Sequence, residues 1–342
     1  IESRTRSVVE KMKKAQSEGT ILLVGHNSFN SCLRAHIEGK TSNQYLAYRN
    51  RVGSLPNGSA IELNILQEPQ IENLIQDPDT LDTWFSSGMW TFSTLGWPDK
   101  TKDLEIYHPT DVLETGYEII FFWVARMILM SGYALGDIPF HTVYFHGTVR
   151  DGKGQKMSKS LGNGLDPIDI ANKYGADAAR MALIVGTAPG TDSKIDENKI
   201  KGYKNFANKI WNITRFILSS ADQDVWNKDI VLTEADTKLK QASDELIADI
   251  TSDYEAYRFH LTGEKIYSYL WHELADKILE ESKEVFKDGT PEAQASRSWL
   301  LGPLLKTWLV VLHPLMPFVT EEIWGLLDEK QLLMVTPWPH DR

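Results

Sequence analysis

Lys156 and Lys159 stand three residues apart in "GQKMSKSLGN" (154–163), with Lys153 just upstream and Ser158 and Ser160 beside them. Gly152, Gly154 and Gly162 flank the stretch and argue against a helix there. Ammonium and hydroxyl groups on such a loop suit a bound polyanion. Transfer at the α-phosphate of a nucleoside triphosphate builds charge on the phosphoryl oxygens and the departing pyrophosphate, and a protein helps mainly by positioning and by fixed positive charge. The glycines let the loop move and let backbone approach phosphate closely. A solvated basic loop would have the same composition, so its place in the chain has to decide.

Around the loop the sequence reads as α/β. "DVLETG" is a short strand ending in Gly116, and "YEIIFFWVARMILMSG" is a strongly apolar helix expected to be buried over most of its circumference. "HTVYFHG" is the next strand, and the lysine loop comes directly after it. Strand, helix, strand predicts a parallel crossover unit, whose strand carboxyl ends are where ligands bind in open sheets. Beyond the loop, Asp166 and Pro167 supply an N-cap and a first-turn proline for "IDIANKYG".

From about residue 201 the pattern becomes helical. Phe206, Ile210, Ile213 and Ile217 form one stripe, and Ile266, Leu270, Leu274 and Ile278 another. "SRSWLLGPLLKTWLVVLHPLMPFV" predicts a central helix interrupted near Gly302 and Pro303, and Thr320 is placed to cap "EEIWGLL". The fold class is thus the second half of a Rossmann-type parallel α/β sheet followed by an all-α bundle, with a small α/β fragment at the N-terminus. The expected boundaries are 1–66 for that fragment, 67–150 for the half-sheet, 151–200 for the lysine loop with a stem-contact region, and 201–342 for the bundle.

Composition narrows the classes further. With 47 acidic against 36 basic residues and a net charge of −11, the chain is no uniformly basic nucleic-acid binder, although a local basic patch remains possible. The single cysteine, Cys32, rules out an internal disulfide framework and a Cys-rich zinc site, and no metal site is expected. It suits a reducing, cytoplasmic setting. No run of about eighteen apolar residues appears, since the richest, "IIFFWVARMILM", is short and interrupted by Arg126, which argues against a membrane span and a membrane partner.

"KMSKS" resembles the second signature of the class I aminoacyl-tRNA synthetases. "LDTWFSSGMWTFSTLGWP", "DVLETGYEIIFFWVARM", "YFHGTVRDGKGQKMSKSLGN", "DPIDIANKYGADAARMAL", "NFANKIWN" and "LHPLMPFVTEEIW" extend the likeness over about residues 76–342, toward the valine-specific family. That resemblance implies a ligase that activates valine with ATP and Mg²⁺ and transfers it to tRNA-Val, as a monomer when complete. Lys156 and Lys159 would stabilise the transition state for adenylate formation. Gly116 and Glu118 would lie under the ATP ribose, His146 and Gly147 near the adenine, and Met157, Ser158 and Ser160 along the nucleotide. The family generally has aspartate where Glu118 stands, so the reach of that carboxylate is longer here. Trp84 and Ile119 would wall the valine side chain. The helical part would be the anticodon-binding bundle, with Lys199, Lys201, Lys204, Lys209 and Arg215 as phosphate contacts.

The same resemblance implies an earlier half-sheet bearing a "HIGH"-like sequence and an editing domain. Neither is visible in this sequence: His26, His36, His108, His141 and His146 have no such setting. The chain therefore reads as the C-terminal portion of a longer synthetase, inactive alone. The stretch "ILLVGHNSFNSCLRAHIEG" with "LPNGSAIELNI" resembles instead the C-terminal half of a histidine-phosphatase domain, with His26 in its phosphate pocket. Two other functions stand as alternatives, a phosphomonoesterase centred on that region and a non-catalytic tRNA-binding relative.

Overall fold

The computed structural model describes residues 79–158, 160–327 and 330–339. The chain forms two compact units, Ile1–Leu81 and Asp82–Arg342. Every named element belongs to the second unit. His26 and Lys159 lie outside the described residues.

Three short helices lead in: α1 (Thr83–Gly88), α2 (Trp90–Ser93) and α3 (Lys102–Tyr107). The Asp82 carboxylate caps α1 by accepting from the Trp84 N–H, and Thr101 caps α3 by accepting from Leu104. Strand β1 (Thr110–Gly116) then runs parallel to β2 (Phe140–His146), in a register that pairs Thr110 with Phe140 and Gly116 with His146. Their connection is a 3₁₀ turn (Tyr117–Ile119), one π-helical turn (Ile120–Val124) and α4 (Ala125–Ala134). This is the expected crossover. Leu113, Val124, Met127 and Phe140 form its core.

The crossover helix departs from expectation in its burial. Val124, Met127 and Ser131 are buried, but Phe121, Phe122, Ile128, Leu129 and Tyr133 are exposed. Apolar content predicts burial all round only if partners exist on all sides, and among the described residues this helix packs on α1 and α2 and, through Val124 and Met127, on Leu113 and Phe140 of the strands. By length and composition Tyr117–Ala134 also qualifies as a membrane span, despite Arg126. Its position between two parallel strands makes it a crossover instead.

Beyond β2, the short strands β3 (Val149–Arg150) and β4 (Ser193–Lys194) pair in parallel. Between them lie the lysine loop, α5 (Pro167–Tyr174) and α6 (Ala176–Ile184). As expected, Asp166 caps α5 by accepting from the Ile168 and Asp169 N–H groups, and Pro167 occupies its first turn. Ile170, Ala178, Ala182, Ile195 and Ile200 close a small core beneath.

The rest is helical. It comprises α7 (Glu197–Ser220), α8 (Glu234–Glu255), α9 (Phe259–Ser268), a π-helical stretch (Tyr269–Ile278) leading into α10 (Leu279–Asp288), then α11 (Pro291–Leu312) and α12 (Pro317–Gly325). Both apolar stripes read from the sequence face one core, in which the Trp308 ring stacks on Tyr269 at 4.1 Å. Two details differ from the sequence reading. Helix α11 passes through Pro303 without a break, with Gly302 pressed against the Trp226 ring so closely that a Cβ there would collide with it. Packing on both flanks outweighs the hydrogen bond that proline forfeits. Thr320 does not cap a helix: it is buried inside α12, its hydroxyl donating to the Met316 carbonyl. The carboxylate of Asp177, from α6, accepts instead from the Phe318 and Val319 N–H groups at 3.2 and 2.7 Å. Arg180 grips the preceding carbonyls of Pro314 and Leu315.

Candidate functional site

The parallel register brings Gly116 and His146 side by side at the carboxyl edge of the strand pair. The strand ends there because Gly116 leads directly into the 3₁₀ turn carrying Glu118 and Ile119. The Glu118 side chain folds back over Gly116, so that a Cβ at 116 would lie 2.8 Å from two of its carboxylate atoms. His146 is exposed, with Nδ1 2.8 Å from the Gly147 carbonyl and Nε2 3.3 Å from Glu114. Gly147 is buried against the backbone of Thr191 and Asp192, where a Cβ would fall 2.5 Å from the Asp192 nitrogen and nearer still to Thr191. Together Gly116, Glu118, His146 and Gly147 make a shallow, backbone-rich shelf with a carboxylate at one side.

The lysine loop rises from β3 beside that shelf. Its stem closes where Arg150 bridges Lys156 in antiparallel fashion and the Met157 N–H donates to the Val149 carbonyl. Inside, Asp151 organises the turn: its carboxylate accepts from the Lys153 N–H, the Gln155 N–H and the Asn163 side-chain amide at 3.0, 2.8 and 3.0 Å. The Asn163 hydrogen bond, then that of Gln155, hold the Asp151 carboxyl below the usual carboxylate range. Asn163 also accepts from the Ser158 N–H at 3.0 Å, and the Ser158 and Ser160 hydroxyls lie 3.2 Å apart. Gly154 and Gly162 take left-handed backbone angles, φ 82° and 61°, which favour glycine. Lys153 and Lys156 are exposed, and neither forms an ion pair among the described residues. Met157 is half-buried at the stem.

The loop's base rests on a pair that sequence reasoning missed, Arg150 and Asp192. Arg150 Nε donates to Asp192 Oδ2 at 2.5 Å, and Nη1 donates to the Gly154 carbonyl at 3.2 Å. The other Asp192 oxygen accepts from the Thr148 N–H at 2.8 Å and the Tyr117 hydroxyl at 3.3 Å. The guanidinium first, then the Thr148 N–H, keep the Asp192 carboxyl below its ordinary range. The available signal was the glycine-punctuated "GTAPGTDSK", where Gly186 and Gly190 have φ 75° and 70° and precede an acidic residue.

Trp84 is half-buried on α1, its ring 5.9 Å from Phe122, with the Arg126 guanidinium 5.5 Å from its centroid. Ile119 is half-buried in the 3₁₀ turn. The five basic residues named on α7 divide. Lys199 donates to the Val185 carbonyl at 2.9 Å, and burial lowers its pKa. Lys209 pairs with Asp276 at 2.8 Å and lies over Trp271. Both of these candidate phosphate contacts are engaged within the chain. Lys204 is exposed but reaches the Lys173 carbonyl at 3.1 Å. Lys201 and Arg215 are exposed and form no ion pair among the described residues.

Comparison with known proteins fits this geometry. The family model described as tRNA synthetases class I (I, L, M and V) matches residues 24–196, and that of the anticodon-binding domain of tRNA ligase matches 236–342. The first match takes in most of the stretch read as histidine-phosphatase-like. The match assigns that stretch to the synthetase family, so neither the phosphatase-like reading nor the role it gave His26 is supported. Among curated relatives, a valine--tRNA ligase of Clostridium tetani is 47% identical over 272 residues, and one of Streptomyces coelicolor 42% over 290. The matches cover 78% and 84% of this chain but 31% and 33% of those proteins, so the chain spans about a third of their length. Among solved structures, a methionyl-tRNA synthetase of Mycobacterium tuberculosis in complex with methionyl-adenylate superposes with a TM-score of 0.63 at 23% identity, covering 89% of this chain and 62% of that one. A ternary LeuRS–tRNA–LeuAMS complex from Agrobacterium radiobacter K84 gives 0.57 at 23% identity, covering 77% of this chain and 34% of that one. These likenesses show the shared fold. Since the synthetase model alone spans half of the sequence and takes in both the shelf and the loop, the chain belongs to the class I tRNA synthetases (I, L, M and V).

Proposed function

We propose that the chain supplies the lysine-loop half-site and the tRNA-binding bundle of a valine–tRNA ligase, which joins valine to ATP as valyl-adenylate and passes it to tRNA-Val. The observation that carries this reading is the juxtaposition of Gly116 and His146 at one carboxyl edge, with the lysine loop rooted four residues past His146. The relatives at 42–47% identity are valine--tRNA ligases, which supports the choice of valine.

In the reaction a valine carboxylate oxygen attacks the α-phosphorus, the bond to the bridging β-oxygen breaks, and pyrophosphate leaves with the electron pair. The shelf receives the nucleoside: the Glu118 carboxylate, folded over Gly116, accepts from ribose hydroxyls, His146 borders the base, and Gly147 lets the 191–192 backbone close against the shelf. Lys156 and Lys159, with the Ser158 and Ser160 hydroxyls, meet the charge that grows on the phosphates. No group of three or more His, Cys, Asp or Glu among the described residues is placed to hold a metal ion. Mg²⁺ in this reading arrives on the triphosphate and is substrate, not a resident ion. Trp84 and Ile119 shape the valine pocket, and a cytoplasmic monomer goes with the same reading.

The test is exchange of pyrophosphate into ATP by the intact polypeptide. Exchange should require valine, and Lys159→Ala or Lys156→Ala should lower it by about 10²–10³-fold. Exchange faster with isoleucine than with valine would move the assignment to a sister specificity. Exchange indifferent to both lysines would remove the role given to the loop.

A further inference from the structure

We infer that Asp192 is a positioning residue for adenylate formation, holding the stem of the lysine loop in register with the nucleotide shelf through Arg150. The claim rests on the proposed function for its consequence in activity, but its structural basis stands on this chain alone.

Arg150 is the node of the loop's base. Its backbone faces β4 on one side, pairing with Lys194 and accepting from the Ile195 N–H, and faces Lys156 on the other. Its guanidinium spans the same two sides, from Asp192 in the segment entering β4 to the Gly154 carbonyl at the tip of the first turn. Asp192 in turn reaches outward from the loop. One of its oxygens binds the Thr148 N–H, two residues after His146, and the hydroxyl of Tyr117, the residue directly after Gly116. A single carboxylate therefore joins the ends of both strands that form the shelf to the arginine that carries the loop.

No other side chain among the described residues is seen to link these three places. Asp151 and Asn163 close the loop upon itself without touching the shelf. The loop's internal shape is thus set by Asp151, and its position relative to the sheet edge by Asp192. A displacement of about 1 Å in a group that must meet a developing charge can cost on the order of 10²-fold in rate. An ion pair at the base of a glycine-rich loop fixes such a displacement cheaply, since the loop can still open once nucleotide leaves.

Asp192→Asn separates this role from simple stability. The amide oxygen can still accept from Thr148, while the charge that faces Arg150 is gone. In the intact polypeptide, kcat for valine-dependent pyrophosphate exchange should fall by about ten-fold or more, with the KM for valine within about two-fold of wild type. Asp192→Glu should recover part of the loss. Arg150→Ala combined with Asp192→Asn should be no worse than Arg150→Ala alone, because the two act as one unit. On this chain, trypsin should cut after Lys153 and Lys156 about three-fold faster or more in the Asn variant, at an unchanged melting temperature. An unaltered kcat, additive losses in the double variant, or a loss that merely tracks a fall in melting temperature would each overturn the inference. A wild-type polypeptide with no valine-dependent exchange would remove the proposed function, and the trypsin rates would still decide whether Asp192 holds the loop.

Discussion

At the scale of single residues, the two glycines of the shelf perform different work. A Cβ on Gly116 meets only the end of a flexible glutamate side chain, whereas one on Gly147 meets backbone. Gly116→Ala should therefore leave stability nearly unchanged but push Glu118 aside, raising the KM for ATP by about ten-fold where one charge-assisted hydrogen bond is lost. Gly147→Ala should instead destabilise the chain by about 1–3 kcal/mol, because the 191–192 backbone must move. ATP titrations and denaturant melts on the two variants would separate the effects. The shelf was legible in the sequence: strand-ending "ETG" and "FHG" place a glycine and a histidine at carboxyl ends, and parallel pairing brings such ends together. Asp192 was not, because its partners Thr148, Arg150 and Tyr117 lie 42 or more positions away and nothing local marks a carboxylate that serves three distant donors.

At the scale of elements, the corner between α8 and α9 shows what a periodic pattern leaves out. Tyr257 there holds φ 56°, a left-handed angle that costs an ordinary residue about 1–2 kcal/mol. The turn is kept by Asp253, whose side chain is 3% exposed and binds Arg258 Nε at 2.7 Å and Lys265 Nζ at 2.6 Å. Phe259, just beyond, packs against Tyr144 of β2 with ring centroids 5.5 Å apart, so the corner also touches the sheet. Burial pushes the Asp253 carboxyl up, but Lys265 and Arg258 together outweigh it and hold it below the ordinary value. A depressed carboxyl contributes stability above its unfolded pKa, about 4, that is lost as pH falls through the lower folded value. Asp253→Asn should cost about 1–3 kcal/mol at neutral pH, toward the low end because both basic partners remain partly exposed, and should flatten the acid limb of the stability curve. Urea melts between pH 7 and pH 2 would measure both. The helices themselves could be read from their stripes. Their ends and kinks could not, since Pro303 continues a helix and Thr320 fails to start one for reasons that lie in distant neighbours.

At the scale of the whole molecule, a net charge of −11 repels nucleic acid, so any tRNA contact must come from a local surface. The basic run on α7 was legible as a candidate surface, but its division was not. Spacing cannot show that Lys199 turns inward to a carbonyl or that Lys209 is matched by Asp276, 67 residues on. Of the five, Lys201 and Arg215 remain as exposed cations with neither an ion pair nor a side-chain hydrogen bond among the described residues, whereas exposed Lys204 is held by the Lys173 carbonyl. Lys201→Ala and Arg215→Ala should each weaken tRNA-Val binding and lower the salt dependence of the binding constant by about one phosphate contact. Lys199→Ala should leave that dependence unchanged while lowering the melting temperature. Filter binding across a salt series, beside thermal melts, would show the contrast.

The reach of Asp177 and Arg180 across to residues 314–319 bears on how this architecture can be cut and recombined. Helix α12 has no terminating side chain of its own, and its acceptor comes from about 140 positions earlier. A graft of residues 201–339 onto another scaffold would carry a helix with two amide groups bare, whereas a graft begun at Ala176 would bring their acceptor with it. The natural seam for exchange therefore lies upstream of α6, within reach of the loop, so a transplanted bundle would bring along the helix by which it is anchored.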